Sequence, residues 1–224
     1  MEKLRNFFFQ NTETRQTIIK NTFWLFAGET SGRLLKMILI IYAARKLGAG
    51  GWGIFAYAIS VASLLMIFSD IGIGSLITRD ASQKKDNYRA LISAALLLKS
   101  IILIISIILV IIISPYISNI QEARTLFSII GLIFLFDAIR DIGFAINRIL
   151  EKMEREMAIK IILNFIILVL GIILIRINPL PISMAIAYAA GSAISVVLII
   201  IILRKNVLDF FTKTNYETLK LVIK

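Results

Sequence analysis

The chain contains neither cysteine nor histidine. The first absence excludes disulfides and thiolate metal sites, and the second removes the commonest general base and metal ligand. Hydrolytic, redox and zinc chemistry are thereby disfavoured. No catalytic residue, metal site or cofactor is expected, and any covalent chemistry would fall to carboxylates alone. Charge is also scarce: 17% of the 224 residues are charged and 58% are hydrophobic, with a mean hydropathy of +0.88. Soluble domains run nearer half apolar and about a quarter charged. The apolar excess here is gathered into long blocks, the composition of a polytopic, all-α membrane protein. The opening MEKLRNFFFQNTETRQ has no continuous apolar core and no small-residue cleavage site, so a cleaved signal peptide is not expected. The net charge of +11 speaks less for nucleic acid than for membrane orientation, because in such a chain the placement of basic residues matters most.

Six spans are predicted, at about 21–44, 53–77, 90–113, 126–149, 157–177 and 182–203. Residues 1–20 mix Phe7, Phe8 and Phe9 with Lys3, Arg5, Arg15 and Lys20, which suits a cytoplasmic segment on an anionic membrane face. Gly48-Ala49-Gly50-Gly51-Trp52-Gly53 reads as a turn too rich in glycine to continue a helix. Pro115 is expected to end span 3, and Asn178-Pro179-Leu180-Pro181 to join spans 5 and 6 tightly. Glu151-Lys152-Met153-Glu154-Arg155-Glu156 reads as a charged helix extension or turn. Ala187, Gly191 and Ser195, four apart on span 6, form a small-residue face suited to close helix packing. Residues 204–224 form a basic tail or a linker onward.

An even number of spans puts both termini on one side, and the Lys/Arg distribution chooses that side. The N-terminal tail (Lys3, Arg5, Arg15, Lys20), the 2–3 connection (Arg79, Lys84, Lys85, Arg89), the 4–5 connection (Arg148, Lys152, Arg155, Lys160) and the C-terminal tail (Arg204, Lys205, Lys213, Lys220, Lys224) hold most of the basic residues. The other three connections hold only Arg45, Lys46, Arg124 and Arg176. Basic residues stay cytoplasmic, so both termini are predicted inside. All three prolines then fall in or beside outer connections.

Against this apolar background a few charges stand inside spans. Span 1 carries Glu29, Arg33 and Lys36. At about 100° per residue, positions 33 and 36 lie roughly 40° and 20° either side of position 29, so the three share one narrow stripe. Glu29 and Arg33 are four apart with the acid first, the favourable order for a helix-surface pair. Span 3 carries Lys99, and span 4 carries Asp137, Arg140 and Asp141, with Arg140 and Asp141 roughly 60° and 40° either side of Asp137. Charges inside a membrane usually face a polar interior, a partner or a pathway. Spans 1, 3 and 4 are therefore candidates to line one polar cavity, with spans 5 and 6 on the lipid-facing or supporting side. An anion pathway would use Arg33, Lys36, Lys99 and Arg140, oriented by Glu29, Asp137 and Asp141. A cation-coupled route would use carboxylates instead, with Asp70, Asp137 and Asp141 the candidates; Asp70 also reads as an interfacial or capping residue. A third use is purely structural, pairing Glu29 with Arg33 and Asp137 or Asp141 with Lys99 or Lys36.

Thr22-Phe23-Trp24-Leu25, Glu29 with Arg33, Ala44-Arg45-Lys46-Leu47-Gly48 and Trp52-Gly53-Ile54-Phe55-Ala56-Tyr57-Ala58-Ile59-Ser60 together resemble the start of oligosaccharide-lipid flippases. These are the polysaccharide transporters of the multidrug/oligosaccharidyl-lipid/polysaccharide exporter superfamily. Ser69-Asp70-Ile71-Gly72-Ile73-Gly74 followed by Thr78-Arg79-Asp80 is similar to their second-span exit. The resemblance implies transfer of polyprenyl-diphosphate-linked glycans across the cytoplasmic membrane by alternating access, through a cavity that is often cationic. It also implies a second lobe, because family members carry two such lobes. That lobe would be a C-terminal half beyond this chain, a separate chain or a second copy. A cation-coupled multidrug or small-solute antiporter lobe, an enzyme of lipid-linked sugars and a non-transporting membrane scaffold are the alternatives.

Overall fold

The computed structural model describes the backbone of residues 14–67, 88–149 and 152–211, and within them the side chains of residues 19–67, 101–144, 147–148 and 152–203. Among the described residues there are five helices and no strand: α1 (Thr14–Met66), α2 (Tyr88–Ile117), α3 (Gln121–Ile149), α4 (Met153–Ile177) and α5 (Pro181–Phe211). By length and composition, the stretches Ile19–Met66, Met153–Ile177 and Pro181–Leu203 are each able to cross a membrane, and Ile101–Ile117 is a shorter apolar stretch. The charges of α3, at 122, 124, 137, 140, 141 and 148, keep it out of that class. The protein is an all-helical membrane protein. The expectations for Asp70, the loop at 79–86, Glu151, residues 1–13 and the end of the tail lie outside the described residues, as does the side chain of Lys99.

The predicted turn at 48–53 contracts to one residue. Gly48 alone has a non-helical backbone inside α1, with φ 69° and ψ 176°, a region open essentially to glycine. Gly50, Gly51 and Gly53 continue the helix, since glycine disfavours helical backbone by only about 1 kcal/mol and does not forbid it. The chain folds back at this joint. A straight helix would place residues 36 and 55 about 28 Å apart, yet both reach Tyr188: the Lys36 Nζ lies 5.7 Å from that ring and the Phe55 ring 5.7 Å from it.

Pro115 does not end α2, which runs two residues further. A proline removes one backbone donor, and the last turn closes without it through Ser118 N–H donating to the Ser114 carbonyl at 3.1 Å. The predicted turn before the last helix is as expected: Asn178 N–H donates to the Leu174 carbonyl at 2.8 Å, Leu180 N–H to the Asn178 carbonyl at 2.8 Å, and Pro181 takes the first helical position, where a missing N–H is harmless.

The core joins Leu39 and Ala43 from the first arm of α1 to Phe55, Ala58 and Ala62 from the second, with Phe127 and Ile130 of α3, Leu163 and Ile167 of α4, and Met184 and Ala185 of α5. Large apolar side chains also point outward on every helix, among them Phe26, Leu64, Ile105, Leu132, Ile173 and Ile200, the pattern of a body surrounded by hydrocarbon. Packing within is tightened by small residues. A methyl group on Gly171 would stand 2.7 Å from Leu39 Cδ1, and one on Gly191 would meet Ile167. Ala187, Gly191 and Ser195 are all buried, so the small-residue face predicted on the last span does pack. It lies against α4.

Candidate functional site

The charged stripe of α1 is the starting point. One helical turn separates Glu29 from Arg33, and Arg33 Nε donates to Glu29 Oε1 at 3.2 Å. The side chains remain open, 79% exposed for Arg33 and 49% for Glu29. On the flank of this stripe stand Gly28 and Gly32, the first against Met157 and the second with Asn164 Nδ2 2.9 Å from where a methyl group would sit. Two missing side chains thus let α4 come close to α1. Lys160, between Met157 and Asn164 on α4, then reaches Glu29 Oε2 at 3.5 Å.

Lys160 carries the network onward. Its Nζ lies 3.0 Å from Glu156 Oε1, one turn back along α4. Glu156 is fully buried, and Arg148 of α3 holds it with two parallel hydrogen bonds, Nε to Oε2 at 2.8 Å and Nη2 to Oε1 at 2.7 Å. A carboxylate taken out of solvent needs such partners, since the desolvation of an unpaired ion amounts to several kcal/mol. Two cations satisfy this one.

A second group lies further along α3. Arg140 Nη1 donates to Asp137 Oδ1 at 2.6 Å and Nη2 to Asp141 Oδ1 at 3.4 Å. Ser192 of α5 also donates to Asp137 Oδ1, at 2.8 Å. Phe144 stands between the groups, with Arg140 Cζ 5.5 Å and Lys160 Nζ 5.6 Å from its ring centre. Lys36 keeps apart from the carboxylates. It lies over Tyr188 and has no carboxylate partner among the described residues.

The sequence-predicted residues therefore sort as follows. Glu29 and Arg33 pair as expected. Asp137, Arg140 and Asp141 form one group, but neither aspartate pairs with Lys36. The supporting role assigned to the last two spans does not hold: Glu156 and Lys160 of α4, and Tyr188 and Ser192 of α5, belong to the network itself. Phe144 and Arg148, which continue the Asp137 face of span 4 toward the cytoplasm, were not counted as site residues, and Glu156, Lys160, Tyr188 and Ser192 were not singled out. A signal existed for two of them, because Glu156, Lys160 and Asn164 are spaced four apart with the acid first, the spacing that marked Glu29 and Arg33.

Arg33, Lys36, Arg140, Arg148 and Lys160 face Glu29, Asp137, Asp141 and Glu156, which leaves one surplus positive charge. Arg33 uses only Nε within the described residues, so both terminal nitrogens remain as donors one turn from Lys36. Such a set can receive an anion without displacing a carboxylate.

No curated protein and no solved structure matches the chain. The family model described as polysaccharide biosynthesis protein matches residues 18–224. With that match over nearly all of its length, and with a charged network threaded through apolar helices, the chain belongs to the polysaccharide biosynthesis protein family.

Proposed function

We propose that this protein moves a lipid-diphosphate-linked oligosaccharide across the cytoplasmic membrane for cell-surface glycan assembly, without covalent chemistry. In this reading the two arms of α1 and helices α2 to α5 make six membrane crossings with both termini inside, which the inward bias of Lys and Arg supports. The observation that carries this reading is Arg33. It is the most open member of the ion pairs, its terminal guanidinium nitrogens have no acceptor among the described residues and suit bidentate contact with phosphate oxygens, and it stands among Phe26, Leu34 and Met37 on an outward face of α1.

Lipid would reject a charged residue on that face. A second six-span lobe would supply the facing wall, and rocking of the two lobes would expose the cavity to each side in turn. The second lobe is a C-terminal half, a separate chain or another copy. Lys36 adds the surplus charge, and Asp137 and Asp141 hold Arg140 in place. Lys99 is a further cavity residue in this reading.

The protein reconstituted in vesicles together with its second lobe, given a fluorescent lipid-diphosphate oligosaccharide, tests the proposal by loss of label to an impermeant quencher. Arg33→Ala combined with Arg140→Ala is expected to reduce flipping to background while insertion stays normal. Full flipping by that double variant would sink the idea. Loss of transport on Asp137→Asn at neutral pH, with the arginines dispensable, would support cation-coupled exchange of a small solute instead.

A further inference from the structure

The two ion-pair groups meet at one uncharged side chain that the reading above leaves unused. Phe144 is 3% exposed and packs in a small cluster with Ile159 of α4 and Ile199 and Leu203 of α5. Its neighbour Gly143 lets Ile199 close against the α3 backbone, so the ring is fixed between three helices. Isoleucine and leucine fill most comparable positions in this chain, and either would satisfy packing. Neither has the negative ring face that attracts a cation within about 6 Å. Here two cations lie within that range of one ring, Arg140 at 5.5 Å and Lys160 at 5.6 Å.

Each cation is also held by carboxylates, Arg140 by Asp137 and Asp141 and Lys160 by Glu156 and Glu29. Arg140 also keeps a buried Nε without an acceptor, so the guanidinium is not positioned by hydrogen bonds alone. We infer that Phe144 is a positioning residue, whose ring holds Arg140 and Lys160 at separate, fixed places as paired donors for a doubly charged anion. The anion is the diphosphate of the proposed substrate, and that part rests on the flippase reading. The ring's hold on the two cations does not.

The test replaces Phe144 with mono-, di- and trifluorophenylalanine, rings of nearly unchanged size whose negative face weakens stepwise. Two rates are read on the protein reconstituted in vesicles with its second lobe: flipping of the labelled lipid-diphosphate oligosaccharide, and acylation of the Lys160 amine followed by peptide mass. Flipping is expected to fall stepwise, by about tenfold over the series, and Lys160 acylation to rise in the same order, with thermal unfolding unchanged. Equal rates across the series in both readouts would overturn the inference and leave the flippase reading intact. Graded acylation with unchanged flipping would overturn the role toward the anion, and graded flipping with unchanged acylation would overturn the hold on Lys160. If the protein with Phe144 flips nothing, the flippase reading fails, and the acylation series alone decides whether the ring positions Lys160.

Discussion

Two arginine–glutamate pairs in this protein have opposite characters. Arg33 and Glu29 share one helix, one hydrogen bond of 3.2 Å and wide exposure. Arg148 and Glu156 join two helices through two shorter bonds, around a carboxylate with no exposed surface. The same chemistry thus serves different ends. An exposed pair contributes about 0–1 kcal/mol to stability, and its arginine keeps donors to spare. Breaking a buried pair by removing one partner costs about 3–5 kcal/mol, and its arginine has its fork fully engaged. The first pair is suited to meeting a ligand and the second to holding α3 against α4.

Removing the arginine that holds the buried carboxylate should give the largest effect. Arg148→Ala leaves Glu156, which has no exposed surface, to Lys160 alone, and thermal unfolding in detergent should show a loss of about 3–5 kcal/mol. An unchanged unfolding midpoint would erase the distinction between the pairs. Next comes the tight packing of α4 against the first arm of α1. Gly171→Ala puts a methyl group 2.7 Å from Leu39 Cδ1, overpacking that typically costs about 1–3 kcal/mol, whereas Gly50→Ala, with nothing within 4 Å, should be neutral or slightly stabilising. Equal effects at the two positions would show that α1 and α4 are not in tight contact. Arg33→Ala should reverse the pattern of Arg148→Ala: stability changes by less than about 1 kcal/mol, while the flipping rate falls about tenfold, as for one lost charge-assisted hydrogen bond. Unaltered flipping would return Arg33 to a surface role. The smallest effect is on salt. Raising ionic strength should weaken the Glu29–Arg33 contribution and leave the Arg148–Glu156 contribution nearly as it was, a difference that a comparison of the two alanine variants at low and high salt would read.

Much of the helical layout was legible because long apolar blocks, the Asn178–Pro181 turn and the small face at 187, 191 and 195 each report a local rule of backbone or packing. The Glu29–Arg33 pair was legible for the same reason, since both partners lie on one helix turn. The rest of the network was not, because it is built from contacts across helices. Counting Arg148 and Lys160 as cytoplasmic connection residues used their charge alone and obscured their partners, since α4 begins at Met153 and buries Glu156 in its first turn. Asp137 likewise offered no sequence sign that Ser192, 55 positions away, would share its oxygen. Glycine content misled at 48–53, where several glycines suggested a loop and one backbone conformation did the turning.

That single turning residue has a consequence for register. A loop of several residues absorbs an insertion or deletion by changing its own shape. Gly48 leaves no slack between the arms of α1, so one added residue on either side would rotate the adjoining arm by about 100° about its axis. Lys36 would leave Tyr188, and Glu29 would turn away from Lys160. The placement of the first charged stripe is therefore set by counting along the chain from position 48, and a change of length there would act on the site more severely than most changes of residue within it.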